Sequence, residues 1–148
     1  MRQIANFTIG KWAATAAAIA FGGCFASAYA AGSQGFDGRW QVTVQCSLAR
    51  DGALPFTWRF PASVREGQFL GQKGEKGQPN SGTLSGEIGG DGNALLTMQG
   101  FTGASRQTLT HPKEGSPFHY TVSAHFAGKQ GAGKRNEDRE CSLDFSRS

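Results

Sequence analysis

Apolar and polar residues alternate along three segments of this chain, at 39–46, 55–65 and 117–127. Successive side chains of a β-strand point to opposite faces, so a period of two predicts strands with one buried and one solvated face. The apolar positions of these segments are Trp40, Val42, Val44, Cys46, Phe56, Trp58, Phe60, Ala62, Val64, Phe118, Tyr120, Val122, Ala124 and Phe126. We expect these side chains to form the core of an all-β domain.

Five weaker segments complete the set of predicted strands. They lie at 68–73, 82–88, 93–101, 105–110 and 139–146. Between the second and third of them, Gly89-Gly90-Asp91-Gly92 is a strong hairpin signal. The pattern predicts about eight antiparallel strands, with no helix after the N-terminal segment. Residues 128–137, which are rich in Gly and basic residues, are predicted to be a flexible hairpin loop.

Residues 1–30 have the features of a secretory signal peptide. Arg2 and Lys11 precede an apolar run at 12–21, and Ala28-Tyr29-Ala30 has the small-x-small pattern that signal peptidase cleaves. This run is about half the length that spans a bilayer, so we expect no transmembrane anchor. Cleavage after Ala30 predicts a single exported domain at 31–148, either periplasmic or secreted. Cys24 offers an alternative, since acylation there would produce a lipoprotein.

The two remaining cysteines, Cys46 and Cys141, are expected to form a disulfide because exported proteins meet an oxidising environment. Both residues fall on the inward faces of their predicted strands, the first and the last. A disulfide requires Cα atoms within about 7 Å, so these strands are predicted to be neighbours. Adjacency of the first and last strands closes an up-and-down β-barrel. A two-sheet β-sandwich is the alternative architecture.

Charge and composition exclude one class of partner. Of the 15 basic residues, Arg2 and Lys11 lie in the signal peptide, which leaves 13 basic against 11 acidic residues in the exported domain. A net charge of +2 is too weak to indicate binding to nucleic acid. The chain also has no spacing typical of a catalytic triad, a metal site or a cofactor motif, so we expect a protein that is not an enzyme and holds no metal or cofactor.

Four aromatic side chains on the predicted inner faces define a candidate pocket for a small apolar ligand. These residues are Trp40, Trp58, Phe60 and Tyr120. Barrels of about eight strands are wide enough to hold one small molecule, although a core filled by these same rings is the alternative.

Gly38-Arg39-Trp40 at the start of the first predicted strand resembles the Gly-x-Trp signature of the lipocalin and avidin-like (calycin) barrels. In lipocalins a basic residue after the last strand packs on that tryptophan, and Arg147 stands at a comparable position. The resemblance implies a ligand-binding barrel. The layout from Phe36-Asp37-Gly38 to Cys141 also resembles a group of uncharacterised small exported bacterial β-proteins, which implies no particular function.

Three hypotheses follow for the function. The first is an exported, non-enzymatic binding module for a small apolar ligand in the barrel. The second is an envelope-associated or inhibitor-like module that contacts another protein through the Gly/Lys-rich loops at 73–80 and 128–137. The third is an enzyme of unrecognised type, which would require acidic or histidine side chains to converge in one pocket.

Overall fold

The computed structural model describes residues 33–148, so the predicted signal peptide and Cys24 lie outside the described residues. The described chain forms eight antiparallel strands and two short 3₁₀ helices. The helices are η1 (Ser33–Phe36) and η2 (Ser105–Gln107), and the strands are β1 (Gly38–Cys46), β2 (Phe56–Arg65), β3 (Gln68–Lys73), β4 (Ser81–Glu87), β5 (Asn93–Phe101), β6 (Pro117–Ala127), β7 (Gln130–Arg135) and β8 (Cys141–Arg147). Within this part of the chain no helix is long and apolar enough to cross a membrane.

Each strand pairs with the next along the chain, and β8 returns to pair with β1, which closes an up-and-down barrel. The predicted all-β barrel is confirmed, and the sandwich alternative does not hold. Cys46 and Cys141 are directly opposite each other in the β1–β8 ladder and are joined by the predicted disulfide. The bond therefore links the first strand to the last at the seam of the barrel.

Two of the predicted elements are wrong, although the total of eight strands is right. Residues 105–110 do not form a strand: they contain η2, and the following Thr110 and His111 have positive φ angles of 61° and 48° that no strand tolerates. Residues 128–137 are not a flexible loop, because Gln130–Arg135 form β7 between β6 and β8.

The inner face of β7 explains why the alternation pattern missed it. Gly131, Gly133 and Arg135 are its inward positions, so no apolar side chain marks the period. The glycines are needed for space: a Cβ on Gly131 would lie 2.8 Å from a ring carbon of Phe126, and one on Gly133 would lie 3.1 Å from the Cβ of Ala124. Large neighbours on β6 fill the room that these glycines leave.

One end of the barrel, which we call the packed end, is filled with aromatic rings. The connections here are short, at 66–67, 88–92 and 128–129. Phe126 lies 5.4 Å from Trp40 and 4.8 Å from Phe145 between ring centroids, and η1 adds Phe36 at 6.0 Å. The indole nitrogen of Trp40 donates to the carbonyl of Phe36 at 2.8 Å. These rings fill the interior of the packed end.

The opposite end, which we call the loop end, carries the long connections at 47–55, 74–80, 102–116 and 136–140. The 102–116 loop contacts the other three. Leu54 donates to the carbonyl of Arg106 at 2.7 Å, Asn80 donates to that of Thr102 at 3.2 Å, and Arg139 donates to that of Gln107 at 2.7 Å. These bonds hold the four loops around the mouth of the barrel.

Candidate functional site

A cavity of about 260 Å³ lies at the loop end. Strands β2 and β6 supply its aromatic wall, and the 102–116 loop supplies most of its other side. The side chains and backbone that line it belong to Phe56, Trp58, Asn80, Thr102, Gly103, Ala104, Gln107, Thr108, Leu109, Thr110, Pro112, Pro117, Phe118, His119, Tyr120, Arg135 and Arg139. The segment predicted as a sixth strand therefore contributes lining residues from a loop.

The structure divides the four residues of the predicted pocket into two pairs. Trp58 and Tyr120 line the cavity. Trp40 and Phe60 are each 2% exposed and belong to the packed core. Trp40 lies at the packed end, where its indole nitrogen is bonded to Phe36. Aromatic rings thus fill the packed end, and the cavity at the loop end is lined by two of the four residues.

The aromatic wall is a continuous row of four rings. Phe56 and Trp58 have centroids 4.7 Å apart, Trp58 and Phe118 are 6.2 Å apart, and Phe118 stacks on Tyr120 at 6.0 Å with 19° between the planes. Residues two apart on a strand share a face, which is why β2 and β6 each place two rings on this wall. The planes of Phe56 and Trp58 are tilted by 34° and those of Trp58 and Phe118 by 47°, so the row presents an apolar, uneven surface to the cavity.

Lys73 extends the row on the side of the 74–80 loop. Its ammonium lies 4.4 Å from the ring centroid of Trp58 and donates to Asn80. Partial burial lowers the pKa of Lys73. A cation over the face of an indole is attracted by the negative charge density of the ring. Lys73 therefore fixes both Trp58 and the end of the 74–80 loop.

Two polar groups beside the wall lack hydrogen-bond partners among the described residues: the hydroxyl of Tyr120 and Nε of Arg135. The guanidinium carbon of Arg135 lies 4.2 Å from the ring centroid of Tyr120. Burial raises the pKa of Tyr120 to about 12, against which the charge of Arg135 acts in the lowering direction. Burial also lowers the pKa of Arg135. At neutral pH the tyrosine is a neutral donor beside a charged guanidinium.

Arg139 is the other arginine of the lining, and its role is structural. It is 4% exposed, and it donates to the carbonyls of Ser47, Leu54 and Gln107 at 2.6 to 2.7 Å and to that of Ala53 at 3.2 Å. These carbonyls belong to the 47–55 and 102–116 loops. Arg139 thus ties both loops to the start of β8 and sets the shape of the cavity.

A second contact between the same two loops involves Asp51 and His111. The Asp51 carboxylate accepts from the backbone N–H of Thr110 at 2.6 Å and from that of Ala53 at 3.0 Å. The two ring nitrogens of His111 lie 3.1 Å from the carbonyls of Asp51 and Ser105. Since a neutral imidazole has one N–H, both bonds form only when the ring is protonated.

This contact predicts a pH dependence. The bonds to the carbonyls of Asp51 and Ser105 raise the pKa of His111 above its ordinary value of 6.5, so its stabilising effect is complete below pH 6.5 and is lost as the pH rises through the raised pKa. The bonds from Thr110 and Ala53 lower the pKa of Asp51 below 3.8, so its effect is present above pH 3.8 and is lost as the pH falls through the lowered pKa.

We therefore expect protection of the Thr110 amide against hydrogen exchange, corrected for intrinsic rates, to decrease from pH 6 towards pH 8 as His111 loses a proton. His111→Gln should remove this pH dependence, and His125→Gln, at an exposed outer-face position, should leave it intact. A pH dependence that survives in His111→Gln would contradict the assignment.

The cavity has few groups suited to a metal. His119 lines it, and its other polar side chains are amides, hydroxyls and arginines. Among the described residues no group of three His, Cys, Asp or Glu side chains could hold a metal ion.

Two residues of the cavity lining, Arg135 and Arg139, were not among the residues predicted from the sequence. Arg135 was assigned to a loop, and Arg139 was placed at the start of the last predicted strand without a role. An available signal was the position of both residues close to Cys141, which an expected disulfide places at a buried seam.

Comparison with protein-family models, with curated proteins and with solved structures finds no match for this chain.

Proposed function

We propose that this chain is an exported, non-enzymatic binding module that takes a small, largely apolar molecule in the cavity at the loop end. The observation that carries the proposal is the row of four rings, Phe56, Trp58, Phe118 and Tyr120, beside an unfilled volume of about 260 Å³. An apolar cavity of about 150 Å³ is enough to bind benzene, so this volume suits a molecule of one or two rings.

The aromatic rings differ in exposure between the two ends of the barrel, and this difference supports a ligand site at the loop end over a core filled by side chains. At the packed end, Trp40 and Phe126 are 2% and 1% exposed. At the loop end, Phe56, Trp58 and Phe118 remain partly exposed while they pack against the core. Partly exposed rings around a concave surface are typical of small-molecule sites.

The two tryptophans of the described chain provide a test. Trp40 lies at the packed end and Trp58 in the cavity wall, about 13 Å apart along the β1–β2 ladder. On titration with uncharged one- and two-ring aromatics such as 2-naphthamide, we expect a saturable shift of the Trp58 indole N–H signal in a ¹⁵N NMR spectrum. The Trp40 signal should stay in place.

The variants Trp40→Phe and Trp58→Phe assign the two indole signals and serve as each other's controls. Equal shifts of both signals would indicate binding elsewhere or a general change of structure. If neither the members of the panel nor their carboxylate analogues shift the Trp58 signal, the proposed function is wrong.

The exported location is part of the proposal and has its own test. Mass spectrometry of the protein recovered from an exporting host should give the mass of residues 31–148 less two hydrogens for the disulfide. A mass that begins at Cys24 with added acyl chains would indicate the lipoprotein alternative, and an intact residue 1–148 chain would contradict export.

An envelope-associated or inhibitor-like protein-interaction module is the second candidate. The 74–80 loop is exposed throughout, and Leu48 and Leu54 of the neighbouring 47–55 loop are 63% and 43% exposed. The other loop on which this hypothesis was based is largely strand β7. Replacing Leu48 and Leu54 by serine should abolish partner capture from envelope extract under this hypothesis and leave the cavity probes unaffected.

A further inference from the structure

The lining of the cavity is electrostatically one-sided. Of the described residues that line it, Arg135 and Arg139 are cationic and none is acidic. Glu137 lies two residues after Arg135, and its carboxylate is bonded to Thr121. Its two oxygens accept from the backbone N–H and the hydroxyl of Thr121 at 2.8 and 2.6 Å. No carboxylate of the described chain lines the cavity, while the charges of the nearby Glu137 and Asp138 act on Arg135 and raise its pKa against the effect of burial.

The two arginines differ in how many of their hydrogen-bond donors are already used by the protein. Arg139 donates from all three of its nitrogens to backbone carbonyls. Arg135 is held by its stacking on Tyr120, and its buried Nε has no hydrogen-bond partner among residues 33–148. A guanidinium presents its N–H groups as a planar fork that fits a carboxylate with two parallel hydrogen bonds. Arg135 is therefore the lining cation with unused donor capacity.

The hydroxyl of Tyr120, whose ring lies under the Arg135 guanidinium, is a further donor without a partner in the described chain. The Tyr120 side chain is 4% exposed, and its hydroxyl is buried. A buried polar group without a hydrogen bond is destabilising, so such groups are few in native proteins and each calls for an explanation, of which a bound molecule is one. The guanidinium carbon of Arg135 lies 4.2 Å from the centroid of the Tyr120 ring, so the two side chains belong to the same part of the lining.

We propose that the ligand of this cavity is a planar aromatic carboxylate, whose carboxylate accepts from Arg135 and the hydroxyl of Tyr120 while its ring lies on the wall formed by Trp58 and Phe118. This inference rests on the proposed function and adds its chemical class. A carboxylate fits better than a larger polyanion because one guanidinium fork and one hydroxyl match its two oxygens, and because the volume of about 260 Å³ leaves room for one or two rings.

The test compares 2-naphthoate with 2-naphthamide, which has the same shape and no charge. Dissociation constants are measured by calorimetry and by the Trp58 indole signal, at two ionic strengths. We expect wild type to bind the acid at least about tenfold more tightly than the amide, the size typical of a hydrogen bond to a charged group. Arg135→Gln should abolish this preference, and Arg59→Gln, at an exposed position on the outer face of β2, should preserve it.

Tyr120→Phe separates a binding role from a structural one. Because the hydroxyl has no partner in the described chain, its removal should leave the melting temperature unchanged or raise it, while the affinity for 2-naphthoate decreases at least about threefold. A structural role would instead lower the melting temperature and leave the preference for the acid unchanged.

The outcomes distinguish this inference from the proposed function. If 2-naphthamide binds as tightly as 2-naphthoate, the carboxylate class is wrong and the apolar binding module stands. If the preference for the acid persists in Arg135→Gln, the anion binds elsewhere and the inference is wrong. If neither compound shifts the Trp58 signal, the proposed function itself fails.

Discussion

Replacement of both Cys46 and Cys141 by alanine is expected to lower the free energy of unfolding by about 4–5 kcal/mol, measured by denaturation in urea. The disulfide closes a loop with a sequence separation of 95, and the cost of closing a loop of that length in the unfolded chain accounts for most of this value. Small domains are stable by about 5–15 kcal/mol, so the variant should be marginal but folded at low temperature.

The seam of the barrel should survive loss of the bond. Seven residue pairs, from Trp40–Arg147 to Cys46–Cys141, join β1 and β8, and the ladder keeps its hydrogen bonds without the sulfurs. The far-ultraviolet circular dichroism spectrum of the alanine variant at low temperature should therefore match that of wild type. Reduced wild type serves as the control for the two side-chain changes. A loss below about 1 kcal/mol would contradict the entropic argument.

Arg139→Met is expected to lower the free energy of unfolding by about 3–5 kcal/mol, because four buried or partly buried carbonyls of two loops lose their donor. Methionine keeps apolar contact with Phe56, whose ring centroid lies 5.0 Å from the guanidinium carbon. The change therefore removes hydrogen bonds with little loss of packing. Urea denaturation measures the effect.

Two further variants test whether lost hydrogen bonds cause the destabilisation. Arg139→Lys retains a charge but cannot reach four carbonyls with one ammonium, so its loss of stability should be intermediate. Arg59→Met, at an exposed position on β2, should change stability by less than about 0.5 kcal/mol. An equal effect of the Met and Lys variants would contradict the hydrogen-bond explanation, and so would a small effect of both.

The candidate site was predictable only in part from the sequence. Trp58 and Tyr120 were placed on inner faces by the period-two pattern, and both line the cavity. The same pattern marked Trp40 and Phe60 equally, and neither of them lines the cavity. Alternation reports which face of a strand is buried and says nothing about depth along the barrel. Depth is set by how strands stagger and which loops lie at each end.

The all-β class, seven of the eight strands and the Cys46–Cys141 bond followed from local patterns. Strand alternation and an even cysteine pair depend on residues whose roles are visible one segment at a time. Only the tertiary structure determined where the cavity lies, that residues 130–135 form strand β7, and that Arg135 and Arg139 line the cavity. Gly131 and Gly133 lie in a strand because β7 pairs with β6 and β8, and these positions need glycine because side chains of β6 occupy the space in front of them. Arg135 and Arg139 acquire their roles from carbonyls and rings distant in sequence, and contacts of that kind have no signature in the local sequence.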